Sequence, residues 1–128
     1  FVIHTRTNID TTKGDDRIWA YQTDVEIISV IYDRTTAPNP ILSGVDNIAL
    51  SKDGELIVSE DGGDLQIVAV VERTRLIPIV QLVGHDGSEV TGPAFSPDGK
   101  RLYFSSQRGT EGHSGAGVTF EVSGPFHS

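Results

Sequence analysis

The sequence contains no cysteine and no methionine, and no apolar run in it approaches the roughly 18 residues that a membrane-spanning helix needs. Without cysteine there is neither a disulfide framework nor a thiolate metal site within these residues. Basic residues are scarce too: 10 Lys and Arg stand against 18 Asp and Glu, a net charge of −8. That balance disfavours non-specific binding to nucleic acid or anionic lipid and suits cation binding, although acidity alone makes no more than a solvated surface. A Gly-rich phosphate loop, a nucleophile elbow and a Ser/His/Asp constellation are all missing. His85, His113 and His127 lie in loops without metal-ligand spacing, and His4 reads as packed within a strand. No charged segment leading into an apolar one, as in a signal peptide, opens the sequence. It begins directly on the strand-like Phe1-Val2-Ile3-His4-Thr5, so it reads as a piece cut from something longer.

What is present is a repeat. The stretch Gly44 to Gly63, GVDNIALSKDGELIVSEDGG, returns as VTGPAFSPDGKRLYFSSQRG from Val90 to Gly109. Ala49, Ser51, Asp53 and Gly54 recur as Ala94, Ser96, Asp98 and Gly99, an offset of 45 residues that becomes 46 once Arg101 is inserted. A period of roughly 40 to 50 residues with strand-like content is the signature of propeller blades and similar arrays. Each copy reads as a hairpin whose turn carries Asp-Gly, with Pro97 preceding it in the second copy. Asp53 and Asp98 are therefore turn formers before they are metal ligands.

In order, the chain predicts all-β structure: a partial β-propeller of about two and a half four-stranded antiparallel blades in one domain. Phe1 to Thr5 superposes on Leu56 to Glu60 and on Leu102 to Ser106, so the first unit, residues 1–34, supplies strands b, c and d. Residues 44–83 form a complete blade, with Pro78 tolerated on its outermost, edge strand. Residues 90–126 supply strands a, b and c of the next blade, with Gln107 to Gly117 as a Gly-rich loop and Gly124-Pro125 ending it. Ten strands are too few to close a ring of four to eight blades. The open edges are expected to be covered by remaining blades of a parent protein or by self-association.

The ordered set FVIHTRTNIDTTKGDDRIWAY, GVDNIALSKDGELIVSEDGG, EVTGPAFSPDGKRLYFSSQRG and GVTFEVSGPF resembles the PhoX-type secreted alkaline phosphatases and their bacterial relatives, nearly end to end. The Ser-Pro-Asp-Gly hairpin is shared with TolB-like and other propellers; the ordered set is the more specific feature. Val45 departs from the proline usual in the family, and an Arg-Pro-Glu-Gly segment expected upstream would fall before Phe1. The resemblance implies the C-terminal portion of a longer, secreted or periplasmic hydrolase, a phosphomonoesterase with a central cluster of calcium with iron in the intact parent, in which part of the active site is missing here.

In a propeller the d-to-a and b-to-c connections share one face, so Asp46 and Asn47, entering strand a, and Glu60 and Asp61, leaving strand b, are expected together at the channel mouth. Their oxygens suit Ca²⁺. Carried over by motif, Glu60, Asp46, Asn47 and Asp61 are the candidate metal ligands, Glu60 foremost because its repeat equivalents are Thr5 and Ser106. Glu89 and Thr91 hold the corresponding entrance of the next blade. Arg6 and Arg108 leave strand b on the same face with guanidinium groups shaped for phosphate. The loop with Asn8, Asp10, Asp15, Asp16 and Gly14 fails calcium-loop spacing. Each candidate acid or Arg also reads as a solvated surface residue. Three functions remain open: a metal-dependent phosphoesterase acting on a phosphorylated small molecule, its isolated C-terminal portion inactive; a calcium-dependent lactonase-type propeller; and a non-enzymatic, TolB-like interaction platform.

Overall fold

The computed structural model describes residues 2–5, 16–73 and 75–126. Among the described residues ten strands run in sequence: β1 (Val2–Thr5), β2 (Arg17–Gln22), β3 (Ile27–Asp33), β4 (Val45–Leu50), β5 (Leu56–Glu60), β6 (Gln66–Val71), β7 (Arg75–Gln81), β8 (Val90–Phe95), β9 (Arg101–Ser106) and β10 (Val118–Ser123). They form three antiparallel sheets in the orders β1-β2-β3, β4-β5-β6-β7 and β8-β9-β10. The fold is all-β and propeller-like, with three, four and three strands, as the repeat predicts. One departure is small: a single 3-10 turn, Ser114–Ala116, sits inside the Gly-rich loop, and the His113 side chain caps it.

Local chemistry explains the hairpins. Between β8 and β9 the Ser96 hydroxyl donates to Asp98 Oδ1 at 2.6 Å, and the Lys100 N–H donates to the same oxygen at 3.1 Å. Gly99 takes φ +71° and its N–H closes the turn on the Ser96 carbonyl at 2.8 Å. These bonds, Ser96 first, hold the Asp98 carboxyl below its usual range, so this aspartate is occupied by its turn. Pro78 lies on β7, the outermost strand of its sheet, where a missing N–H costs no ladder bond.

Strand alternation assigns each sheet two faces. In the middle sheet Leu56, Val58, Val68 and Val70 are cross-strand partners turned toward the first sheet, where they pack with Ile18 and Tyr32. Ile57, Ile67 and Ala69 turn the other way and pack with Leu102 and Phe104 of the third sheet. Two apolar layers thus separate three sheets, and each fully buried aliphatic side chain contributes roughly 1.5–3 kcal/mol. β1 lies against β4 as β5 lies against β8, so the same step relates successive sheets. The innermost strands β4 and β8 share an irregularity: pairing is interrupted between Val45 and Ile48, and again between Thr91 and Ala94. Bulges re-aim side chains, and the first one carries Asp46 and Asn47.

Candidate functional site

The β4 entrance and the β5 exit meet as expected. Val45 pairs with Glu60, and the Asp61 N–H donates to the Gly44 carbonyl at 2.8 Å. Gly44 is required at this point: φ is +61°, and a Cβ would strike the Asp61 carbonyl oxygen. The next sheet repeats the tie, with Val90 opposite Ser106 and the Gln107 N–H donating to the Glu89 carbonyl at 3.0 Å. The candidate residues of both sheets therefore lie at one end of the fold, but they divide into two groups.

The first group surrounds Glu60, which is fully buried. One carboxylate oxygen accepts the Ser43 N–H at 2.8 Å and the other accepts the Gln66 N–H at 3.0 Å. Glu60 thereby ties the loop into β4 to the start of β6. Burial, opposed by these two bonds and assisted by the charges of Asp64 and Asp16, raises its pKa above the ordinary carboxyl value. Asp16 is also buried; its oxygens accept the Gly44 and Val45 N–H groups at 2.9 and 3.3 Å, and Arg34 stands 3.8 Å away. Asp16 thus fastens the first sheet to the second. Residue spacing gave no reason to single it out, because its partners lie 28 and 29 positions later.

The second group gathers Asp46, Asp61, Glu89 and Arg108. Arg108 reaches Glu89 with Nη2 to Oε1 at 3.3 Å, and its side chain is 39% exposed. Glu89 is pushed up from its ordinary pKa by burial, then by the neighbouring charge of Asp61, against the pull of Arg108; Asp46 and a hydrogen bond with Asp61 push it further. Asn47 is a strut between the two sheets: its Oδ1 accepts the Thr91 hydroxyl at 2.9 Å and the Gly92 N–H at 2.8 Å, while its amide donates to Asp46 at 3.1 Å. Thr91 therefore serves that strut. Arg6 lies outside the described residues, as do Asn8, Asp10 and Asp15 of the discounted loop.

Behind Glu89 lies a buried network that the spacing of the histidines did not suggest. His85 Nδ1 is 2.8 Å from the Ser106 hydroxyl, which donates to Ser88 Oγ at 2.8 Å. Because that hydroxyl has one proton and gives it to Ser88, Nδ1 of His85 must carry the proton it shares with Ser106. Ser88 Oγ also accepts the Arg108 N–H at 2.8 Å, so the network sets the backbone from which the guanidinium projects.

A protein-family model, alkaline phosphatase PhoX, matches residues 22–109, from the end of β2 to the turn after β9. The chain belongs to the PhoX alkaline phosphatase family. No curated protein and no solved structure matches it. Membership places this chain in a family of alkaline phosphatases. Among the described residues no three Asp, Glu or His side chains converge as a metal-holding group. The donor set there is a hydrogen-bonded carboxyl pair, Asp61 and Glu89, with Asp46 near enough for its charge to be felt. These residues alone do not close around a metal ion. No helix is long and apolar enough to cross a membrane.

Proposed function

We propose that this chain is the C-terminal sector of a metal-dependent phosphoesterase of propeller form, secreted or periplasmic, and that the Asp46, Asp61, Glu89 and Arg108 group is its contribution to the active site. The family match is the observation that carries this reading; the grouping of a half-exposed arginine side chain with three acids at the end shared by β4 and β8 supports it. Arg108 offers a planar fork of N–H donors suited to two phosphoryl oxygens, and Glu89 holds that fork in place until an ester arrives. Burial and the neighbouring charges of Asp61 and Asp46 raise the pKa of Glu89 against the pull of Arg108. Calcium is the cation whose ligand chemistry these oxygens fit, with further ligands supplied from beyond the described residues. Glu60 and Asn47 act as the supports of this wall, tying the loops and sheets that carry it. The reading divides the domain as residues 1–34, 44–83 and 90–126, one unit to each sheet.

The experiment is a thermal-shift titration of the full chain with calcium chloride and, separately, with inorganic phosphate. Calcium is expected to raise Tm in a saturable way in the original chain and not in the double variant Asp61→Asn, Glu89→Gln. Phosphate is expected to raise Tm unless Arg108 is replaced by Gln. An unchanged Tm with both ions, or shifts that survive these substitutions, overturns the assignment of this wall to a phosphoesterase site. Hydrolysis of p-nitrophenyl phosphate by the chain alone is expected to be undetectable with or without calcium.

A further inference from the structure

Arg108 lies beyond the paired part of its strand. The last ladder residue of β9 is Ser106, and the connection that follows runs over residues 107–117, where its counterpart after β5 needs only residues 61–65. A long connection keeps many conformations open unless it is tied. Arg108 is tied at its root, its carbonyl and its tip: the N–H donates to Ser88 Oγ at 2.8 Å, the carbonyl accepts the Gly112 N–H at 3.0 Å, and the guanidinium meets Glu89 at 3.3 Å. Ser88 and Glu89 are consecutive, so one short stretch before β8 holds both ends of the side chain. The Gly112 turn leans on that same stretch, since a Cβ on Gly87 would come within 3.2 Å of Gly112 Cα.

The tie at the root depends on where hydroxyl protons point. Ser88 Oγ accepts both the Arg108 N–H and the Ser106 proton, while its own proton is directed at the Glu89 carbonyl, 3.4 Å away. Ser106, having given its proton to Ser88, turns a lone pair to His85 Nδ1 at 2.8 Å. The imidazole N–H therefore fixes the sense of the chain. Removing it leaves the buried Ser106 oxygen short of a donor, a gap that water or a shift of the 85–89 stretch must fill. The ring itself is aimed by packing: His85 is buried, meets Phe120 edge-on with centroids 5.9 Å apart, and Phe120 stacks on Phe104 of β9.

We infer that His85 is a positioning residue for anion recognition: through Ser106 and Ser88 it orders the backbone of Arg108, so that the guanidinium is in place before a phosphoryl group arrives. The choice of a phosphoryl ligand rests on the phosphoesterase reading; the restraint on Arg108 rests on geometry alone. An arginine that must be ordered as the ion binds loses roughly three- to tenfold in affinity.

NMR of the full isotope-labelled chain tests both halves. Imidazole nitrogen signals are expected to place a proton on Nδ1 of His85, and heteronuclear NOE values for the backbone N–H and Nε–H of Arg108 are expected to be those of ordered protein. His85→Phe keeps a ring against Phe120 and removes the donor. It is expected to lower both Arg108 values and to weaken binding of inorganic phosphate, followed by titration of backbone shifts, roughly three- to tenfold. His85→Asn, whose amide supplies an N–H, is expected to restore both. Leu102→Ala, in the same apolar layer but outside the network, is expected to lower Tm and leave both unchanged. Arg108 values that stay ordered in His85→Phe overturn the inference, as does an equal loss in Leu102→Ala or an Asn variant no better than Phe. Phosphate that fails to bind the original chain, or binds equally well after Arg108→Gln, overturns the phosphoesterase reading and the ligand named here, while the NOE values still decide the restraint. If circular dichroism shows His85→Phe unfolded, Ser88→Ala, which removes the acceptor of the Arg108 N–H, is read by the same criteria.

Discussion

The junction between the first and second sheets and the junction between the second and third use the same backbone frame for opposite ends. At the first, a carboxylate at the end of β5 is sealed in: Glu60 is fully buried, and both oxygens are taken by backbone N–H groups. At the second, the equivalent position is Ser106, whose hydroxyl joins His85 and Ser88, and the acid sits instead at Glu89, one residue before β8 and beside a half-exposed Arg108. A carboxylate with both oxygens bonded inside the protein ties loops together. One that lies against a second acid and holds a guanidinium has interactions that a ligand can replace. The comparison teaches that two buried acids at one end of the fold are not equivalent in chemistry, because one is bonded to backbone N–H groups and the other to a guanidinium.

The contrast can be broken hardest through the apolar layer of the second junction. Phe104→Ala is expected to cost about 3–5 kcal/mol, since Phe104 is 2% exposed and stacks on Phe120 with ring centroids 5.4 Å apart; urea unfolding measures it. Glu60→Ala, at the first junction, leaves two N–H donors without their acceptor and is expected to cost about 2–4 kcal/mol. Were Glu60 a dispensable rim acid, its loss would leave the unfolding midpoint unchanged. Ser106→Ala, its repeat counterpart, is expected to cost about 1–3 kcal/mol by stripping His85 and Ser88 of a shared partner, and the smaller effect would confirm that the tie at the first junction is the stronger.

Acidity sharpens the comparison further. The raised pKa of Glu60 means that its ionised form is disfavoured in the fold. Its contribution is therefore fully present below the ordinary carboxyl value of 4.5 and is lost as pH rises through the folded value. Asp33 behaves in the opposite sense: bonds from Thr35 and Arg17 lower its pKa from 3.8 to about 2, so its contribution is present above 3.8 and lost as pH falls through about 2. Unfolding measured from pH 2 to 7 is expected to lose its acid-side slope in Asp33→Asn and its rise-side slope in Glu60→Gln. The smallest effect is expected from Glu121→Gln on β10, under about 1 kcal/mol, because the Arg101 pair is exposed on both sides.

Much of this was legible before any coordinates. The repeat, whose offset widens from 45 to 46 residues at Arg101, aligned Leu56 with Leu102, and alternation puts Val58 and Phe104 on corresponding faces, because side chains on a strand must alternate. Asp-Gly at 53–54 and 98–99 fixed the hairpins. The tasks of the acids were not legible in this way. Asp16 belonged to a loop that spacing discounted, and it proved to bind N–H groups far along the chain. Glu60 looked the foremost metal ligand because its counterparts carry no acid; the same singularity fits a buried tie. His85 lacked any spacing signal, since its side-chain partner Ser106 lies 21 positions along the chain.

The sequence by itself determined the strand count and the repeat with its register, since both follow from periodicity along the chain. Tertiary structure alone decided which carboxyls are enclosed and which face Arg108. The reason is that hydrogen bonding and burial depend on distances through space, and residues that lie 17 to 29 positions apart along the chain become neighbours only when the sheets are stacked.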